Sequence, residues 1–114
     1  MKLHVKKIIK IRPKKRKSFL LKLFFILCNK GFSKYIHWSP DGKSIIIPKK
    51  DKFIKNVLPI ICKSNSYSSF ARLLSIYNFQ KKRTKEKDLQ EYEHKEFHRF
   101  KTIEEINEIM NNKF

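Results

Sequence analysis

A small α+β domain, with a helix-turn-helix set against a hairpin, is predicted by three observations. Apolar residues recur at helical spacing in three stretches that begin near residues 18, 51 and 67. The second and third stretches are joined by a short polar turn, Lys63-Ser64-Asn65-Ser66. Between the first and second, "YIHWSPDGKSIIIP" places β-branched and aromatic residues on either side of Ser39-Pro40-Asp41-Gly42, where proline presets a turn and glycine accepts positive φ. A chain of 114 residues suits one such domain with short appendages.

The order of elements follows from local chemistry. Residues 1–17, "MKLHVKKIIKIRPKKRK", carry nine cations, a proline and no acid, so self-repulsion predicts a basic flexible arm. Ser18 is placed to cap a first helix running to about Leu27. Phe19, Leu20, Leu23, Phe24 and Leu27 form its apolar stripe, which Phe25 and Ile26 widen, and Gly31 is expected to stop the chain's helical run. Trp38 and Ile45 to Ile47 should supply the inward face of the hairpin. A second helix is expected from about Asp51, with Phe53, Ile54, Val57, Leu58 and Ile61 on one side. Pro59 falls inside that run, and its missing N–H and its ring predict a bulge, kink or break near Val57, or the helix end.

The third helix should begin at Tyr67 or Ser68, with Phe70, Leu73, Leu74 and Tyr77 packed and Ser68, Ala71, Arg72, Ser75 and Ile76 facing away. Asn78 can take the left-handed conformation that ends a helix, and Lys81, Lys82, Arg83 and Lys85 then follow in a strand. "YEHKEFHRF" supplies another strand and an extended end, returning Tyr92, Phe97 and Phe100 to the core. Thr102 and Glu105 form a capping box for a short amphipathic helix, residues 102–114, that presents Ile103, Ile106 and Met110. These boundaries divide the chain into an arm (1–17), a domain (18–101) and a terminal helix (102–114).

Charge sets the class of partner. The chain has 28 Lys+Arg against 10 Asp+Glu, a formal net charge of +18. Before Glu86 lie 23 of those cations and only Asp41 and Asp51 as acids, which places the contact surface in that part of the chain. Nucleic acid leads as the partner, with an anionic membrane surface as rival. The longest apolar run, "FLLKLFFILC", is too short to span a bilayer, for which roughly 20 residues are needed. Cations interrupt every apolar cluster before Ser18, so a secretory signal is not expected. Cys28 and Cys62 lie in apolar stretches without metal spacing and read as reduced, buried thiols of an intracellular protein.

The outward face of the third helix is small apart from Arg72 and Ile76. A slim face with one long donor suits the major groove, where a guanidinium can donate two parallel hydrogen bonds to guanine O6 and N7. A solvent-facing arginine serving helix propensity is the equal alternative from spacing alone. The cations after Asn78 suit phosphate contact, with plain solvation as competitor. Lys14, Lys15, Arg16 and Lys17 resemble a nuclear localisation signal read by an import receptor; a solvated tail touching phosphates is the equal alternative. His94 and His98 are four residues apart but lack a third ligand nearby, and Glu91, Glu93 and Glu96 show no sign of desolvation. No catalytic group, metal or cofactor is expected.

Three segments, "IHWSPDGKSIIIP", "KFIKNVLP" and "SSFARLLSIYNFQK", in register from Ile36 to Lys81, resemble the DNA-binding domain of heat shock transcription factors. "FLLKL" upstream and "YEHKEFHRF" downstream resemble that family's first helix and last strand, so the resemblance covers about residues 18 to 100. It implies a winged helix-turn-helix, a three-helix core on a small antiparallel sheet with a short wing, acting in the nucleus as a sequence-specific transcription factor on double-stranded DNA. By resemblance Arg72 reads the guanine of a GAA-type half-site. Lys63, Ser68, Ser69, Ser75, Tyr77 and Lys81 contact the backbone or support docking. The distorted second helix of the family accounts for Pro59.

Departures from the family pattern bear on specificity. Leu73 stands where glutamine is usual and Ser75 where asparagine is usual, removing auxiliary polar contacts, while Asn78 replaces a glycine and Gln80 a basic residue. The family continues into a trimerising coiled coil; the closing helix here, about 13 residues, is too short to carry one alone, and a homo-oligomer on DNA is possible with no coiled coil expected within these residues. A nonspecific basic binder of RNA or DNA, driven by phosphate electrostatics, is the alternative function.

Overall fold

The computed structural model describes residues 15–63 and 66–113, with side-chain placement from residue 19 to residue 109. The first helix, α1, spans Lys15–Cys28. It takes in Lys15 to Lys17, which the sequence assigns to the arm, because lysine and arginine are good helix formers; Ser18 therefore lies inside the helix instead of capping it. Phe19, Leu20, Leu23, Phe24, Ile26 and Leu27 are buried. Lys22, Phe25 and Cys28, spaced three apart, make the outward stripe, so Phe25 (56% exposed) does not widen the apolar face and Cys28 is not the buried thiol expected. Cys62 is buried. The helix gives way at Asn29, whose side chain accepts the Gly31 N–H at 2.8 Å and caps a 3₁₀ turn at Lys30–Phe32.

The hairpin pairs β1 (His37–Trp38) with β2 (Ser44–Ile47). Its turn is closed by Gly42 N–H donating to Ser39 O at 2.9 Å, with Gly42 at φ 76. Asp41 Oδ1 accepts from Ser39 Oγ at 2.6 Å and from the Lys43 N–H at 3.0 Å, which holds the Asp41 carboxyl below its ordinary pKa. β3 (Gln80–Lys82) and β4 (Gln90–Glu93) complete an antiparallel sheet of order β1-β2-β4-β3. Trp38, Ile45, Ile47 and Tyr92 point into the core; Ile46, opposite Glu91, belongs to the outer row, as strand alternation requires.

The helix-turn-helix has the expected break. α2 spans Lys50–Asn56 and α3 spans Leu58–Ile61, separated by Val57 at φ −120 and ψ −39. Pro59 sits in the first turn of α3, where its missing N–H costs no helical bond. Phe53, Val57, Leu58 and Ile61 are buried, and Ile54 is half-buried. Ser66 then caps α4 (Tyr67–Ile76), its side chain accepting the Ser69 N–H. Phe70, Leu74 and Tyr77 are buried and Leu73 packs against them.

α4 ends in a Schellman motif: Phe79 N–H donates to Leu74 O and Asn78 N–H to Ser75 O, both at 2.9 Å, with Asn78 at φ 70. Phe79 is buried beside them. Asparagine tolerates this conformation and glycine has no penalty there, so Asn78→Gly should leave stability within about 1 kcal/mol of the parent, whereas Asn78→Ala should lower it by about 1 kcal/mol or more. Urea unfolding of the two variants checks the contrast.

The segment after β4 brings Phe97 into the core, but Phe100 remains 73% exposed, contrary to expectation, with the Arg99 guanidinium 4.5 Å above its ring. α5 spans Ile103–Lys113 and begins with the predicted capping box, Glu105 N–H to Thr102 Oγ1 at 3.1 Å and Thr102 N–H to Glu105 Oε1 at 2.9 Å. It packs against α1 through Ile106 and Ile109. No helix among the described residues is long and apolar enough to cross a membrane.

Candidate nucleic-acid interface

The outward face of α4 is built by what lies behind it. Phe70 is wedged among Phe19, Phe53 and Tyr67, with ring centroids 5.8, 5.0 and 5.4 Å away, and Tyr77 stacks on Phe19 at 6.3 Å. This aromatic cluster fixes the helix's rotation, so Ser68, Arg72 and Ser75 are left exposed on the far side, with Ser69, Ala71 and Ile76 half-buried at its edges. Among the described residues Arg72 forms no ion pair. Its guanidinium stands one turn from the exposed serines Ser68 and Ser75, with Ile76 the one larger side chain at the edge of that face.

Tyr77, expected to contact the backbone or support docking, is only 1% exposed and stacks on Phe19 behind the helix. Its carbonyl accepts from His94 Nε2 at 2.7 Å, while His94 Nδ1 accepts the N–H groups of Glu96 and Phe97 at 2.9 and 3.1 Å. With Nδ1 facing two donors, the ring proton resides on Nε2. His94 thus ties the end of α4 to the chain after β4, and His98 Nε2 lies 2.9 Å from His94 O.

Strand β3 sets a second group of cations beside the helix. Lys81 is directly across from Tyr92, and directly opposed residues share a face, so Lys81 belongs to the row on the helix side of the sheet yet lies exposed at its edge. Lys82 belongs to the other row. Its ammonium is 3.3 Å from Glu91 and 3.8 Å from Glu93, and the Glu91 carboxylate, with Glu93 behind it, holds Lys82 above its ordinary pKa.

A basic, exposed helix-turn-helix flanked by a basic edge strand is a geometry that can be compared with known proteins. The family model HSF-type DNA-binding matches residues 19–112. The chain belongs to the HSF-type DNA-binding family. It is 38% identical to a heat shock transcription factor of Kluyveromyces lactis over 66 residues, 58% of this chain and 10% of that protein. It is also 38% identical over 82 residues, 72% of this chain and 33% of the relative, to a probable heat shock transcription factor of Vairimorpha ceranae. The crystal structure of Chaetomium thermophilum Skn7 with HSE DNA is similar at 34% identity and a TM-score of 0.67, covering 72% of this chain and 87% of that one. The chain therefore spans a third or less of the length of these two curated relatives.

In this HSF-type domain the wing is the loop of residues 83–89 between β3 and β4. Thr84 Oγ1 lies 2.7 Å from Leu89 O and 3.1 Å from Glu86 O, and the Lys50 N–H donates to Asp88 O at 3.0 Å, pinning the loop to α2. Arg83, Lys85 and Lys87 are exposed on it. Lys63 is exposed before the turn to α4; Ser64 and Asn65 lie outside the described residues, as does Lys14, while Lys15, Arg16 and Lys17 have helical backbone in α1.

Among the cations after Asn78, of which the resemblance singles out Lys81, it is Lys82 that lies against two carboxylates. An ammonium already paired with two carboxylates has little to offer a phosphate. Lys81→Ala should weaken binding to any duplex and reduce the slope of log Kd against log salt by about 1, the yield of one phosphate contact, whereas Lys82→Ala should leave that slope nearly unchanged. Titrations at several salt concentrations test this; equal flattening by both variants would refute the division.

Proposed function

We propose that this chain binds double-stranded DNA sequence-specifically as a nuclear transcription factor, with α4 in the major groove and Arg72 reading the guanine of a GAA-type half-site. The observation that carries the reading is the exposed Arg72, without an ion pair among the described residues, on a helix face of mostly small residues that a buried aromatic cluster holds in place. Lys63, Ser68, Ser69, Ser75 and Lys81 surround that face as backbone-contacting or supporting groups, and Tyr77 supports it from inside. The function is binding, with no chemical step. Lys14 to Lys17 serve as the signal for an import receptor, and several copies of the domain occupy adjacent half-sites, an arrangement that would raise affinity through effective concentration.

The test is a mobility-shift comparison of inverted GAA repeats with scrambled duplex at physiological salt. Preference for the repeats by tenfold or more is expected; equal affinity would refute specificity. A second reading, phosphate-driven binding of any nucleic acid, is favoured by the net charge of +18 and by Leu73 in place of a polar residue. It predicts a steep salt dependence that sequence does not change.

A further inference from the structure

The recognition helix is tied to the sheet at its start as well as its end. Tyr67, the first residue of α4, and Tyr92, at the centre of β4, bring their hydroxyls to 2.8 Å across 25 positions of sequence. Tyr92 is 4% exposed and Tyr67 is half-buried. Burial, followed by the neighbouring hydroxyl, pushes the Tyr67 phenol well above its ordinary pKa, so it keeps its proton at neutral pH. The Tyr67 ring also packs on Phe53 and Phe70, and the Lys50 ammonium of α2 lies 4.6 Å from its centroid.

Each partner of this contact adjoins a DNA-facing cation. Tyr92 is the register partner of Lys81. Tyr67 is five residues before Arg72 on the same rigid helix. The strut therefore joins two elements that the proposed function uses for different purposes, base reading and phosphate contact, and fixes the distance between them. The His94 contact to Tyr77 O anchors the far end of α4. Without the hydroxyl pair, packing alone would resist swinging of the helix start about that anchor.

We infer that Tyr67 and Tyr92 are positioning residues for DNA recognition, their hydroxyl pair holding Arg72 and Lys81 at the separation one duplex requires. This rests on the proposed function. A strut of this kind acts on discrimination, because scrambled DNA is held by phosphate contacts that tolerate a small displacement, whereas a bidentate contact to a base edge does not.

The test uses Tyr67→Phe and Tyr92→Phe, which keep both rings and remove one oxygen each, in the full chain. Binding to GAA-repeat and scrambled duplex is measured at one salt concentration, alongside urea unfolding. Each variant is expected to lose about three- to tenfold in affinity for the repeat, part of the worth of the bidentate contact that the strut aligns, with scrambled binding within about twofold, while the lost hydrogen bond itself shows as a lower unfolding midpoint. The double variant should lose no more than either single one, since they break the same bond. Unchanged discrimination in either variant, a parallel fall on both duplexes, or additive losses would overturn the inference. If the unaltered chain binds both duplexes equally, the functional reading itself fails and the inference with it; a discriminating parent with equally discriminating variants overturns the inference alone.

Discussion

Arg72→Ala is expected to lower affinity for inverted GAA repeats by about ten- to a hundredfold while leaving scrambled-duplex affinity within a few-fold, because one bidentate contact is worth roughly 1 to 3 kcal/mol of discrimination. Arg72 touches no carboxylate among the described residues and faces away from the core, so its removal leaves no buried partner stranded. The domain's melting temperature should stay close to that of the parent. Arg72→Lys sharpens the test: it retains the charge but loses the planar fork, so nonspecific binding should survive while discrimination falls nearly as far as with alanine. Retention of full discrimination by the lysine variant would mean that the site reads charge alone.

Phe70→Ala is expected to destabilise the domain by about 3 to 5 kcal/mol, the usual cost of emptying a buried phenylalanine site. Phe70 is fully buried and lies where α1, α2 and α4 meet, against Phe19, Phe53 and Tyr67. No neighbouring backbone can collapse into the space without moving a helix. Small domains have only about 5 to 15 kcal/mol in reserve, so a large part of the population should unfold near physiological temperature and DNA binding should fall with it. Urea unfolding should show a lower midpoint with an unchanged slope. Phe25→Ala is the control: the same residue type, 56% exposed on the outer stripe of α1, is expected to cost within about 0.5 kcal/mol. Equal costs at the two positions would contradict the packing described.

Much of this architecture is legible in the residues because it depends on local period and local chemistry. The packed face of α4, the turn at Gly42, the left-handed Asn78, the break at Val57 and the Thr102 capping box each involve groups within five positions of one another. Errors fall where local chemistry is degenerate. In "FLLKLFFILC" apolar residues are so dense that period alone does not say that Ile26 is buried and Phe25 exposed. The stripe Lys22, Phe25, Cys28 becomes visible only once other elements cover the opposite side. Phe100 follows the aromatic pattern of Phe97 yet lies outside the core, since the chain has by then left the sheet for the hairpin turn, where Arg99 N–H donates to Gly42 O.

The sequence alone determined the helices, the packed face of α4, the hairpin, the excess positive charge and the single arginine on a surface that is small apart from Ile76, since each is written within a turn or a strand pair. Tertiary structure alone decided which lysine meets carboxylates among the described residues and how the recognition helix is held. Whether Lys81 or Lys82 meets a carboxylate depends on the register of β3 on β4, and the Tyr67–Tyr92 hydroxyl contact depends on how α4 lies over that sheet. Neither registry nor docking angle is fixed by neighbours in the chain; both are set by the shape of the core that forms between them.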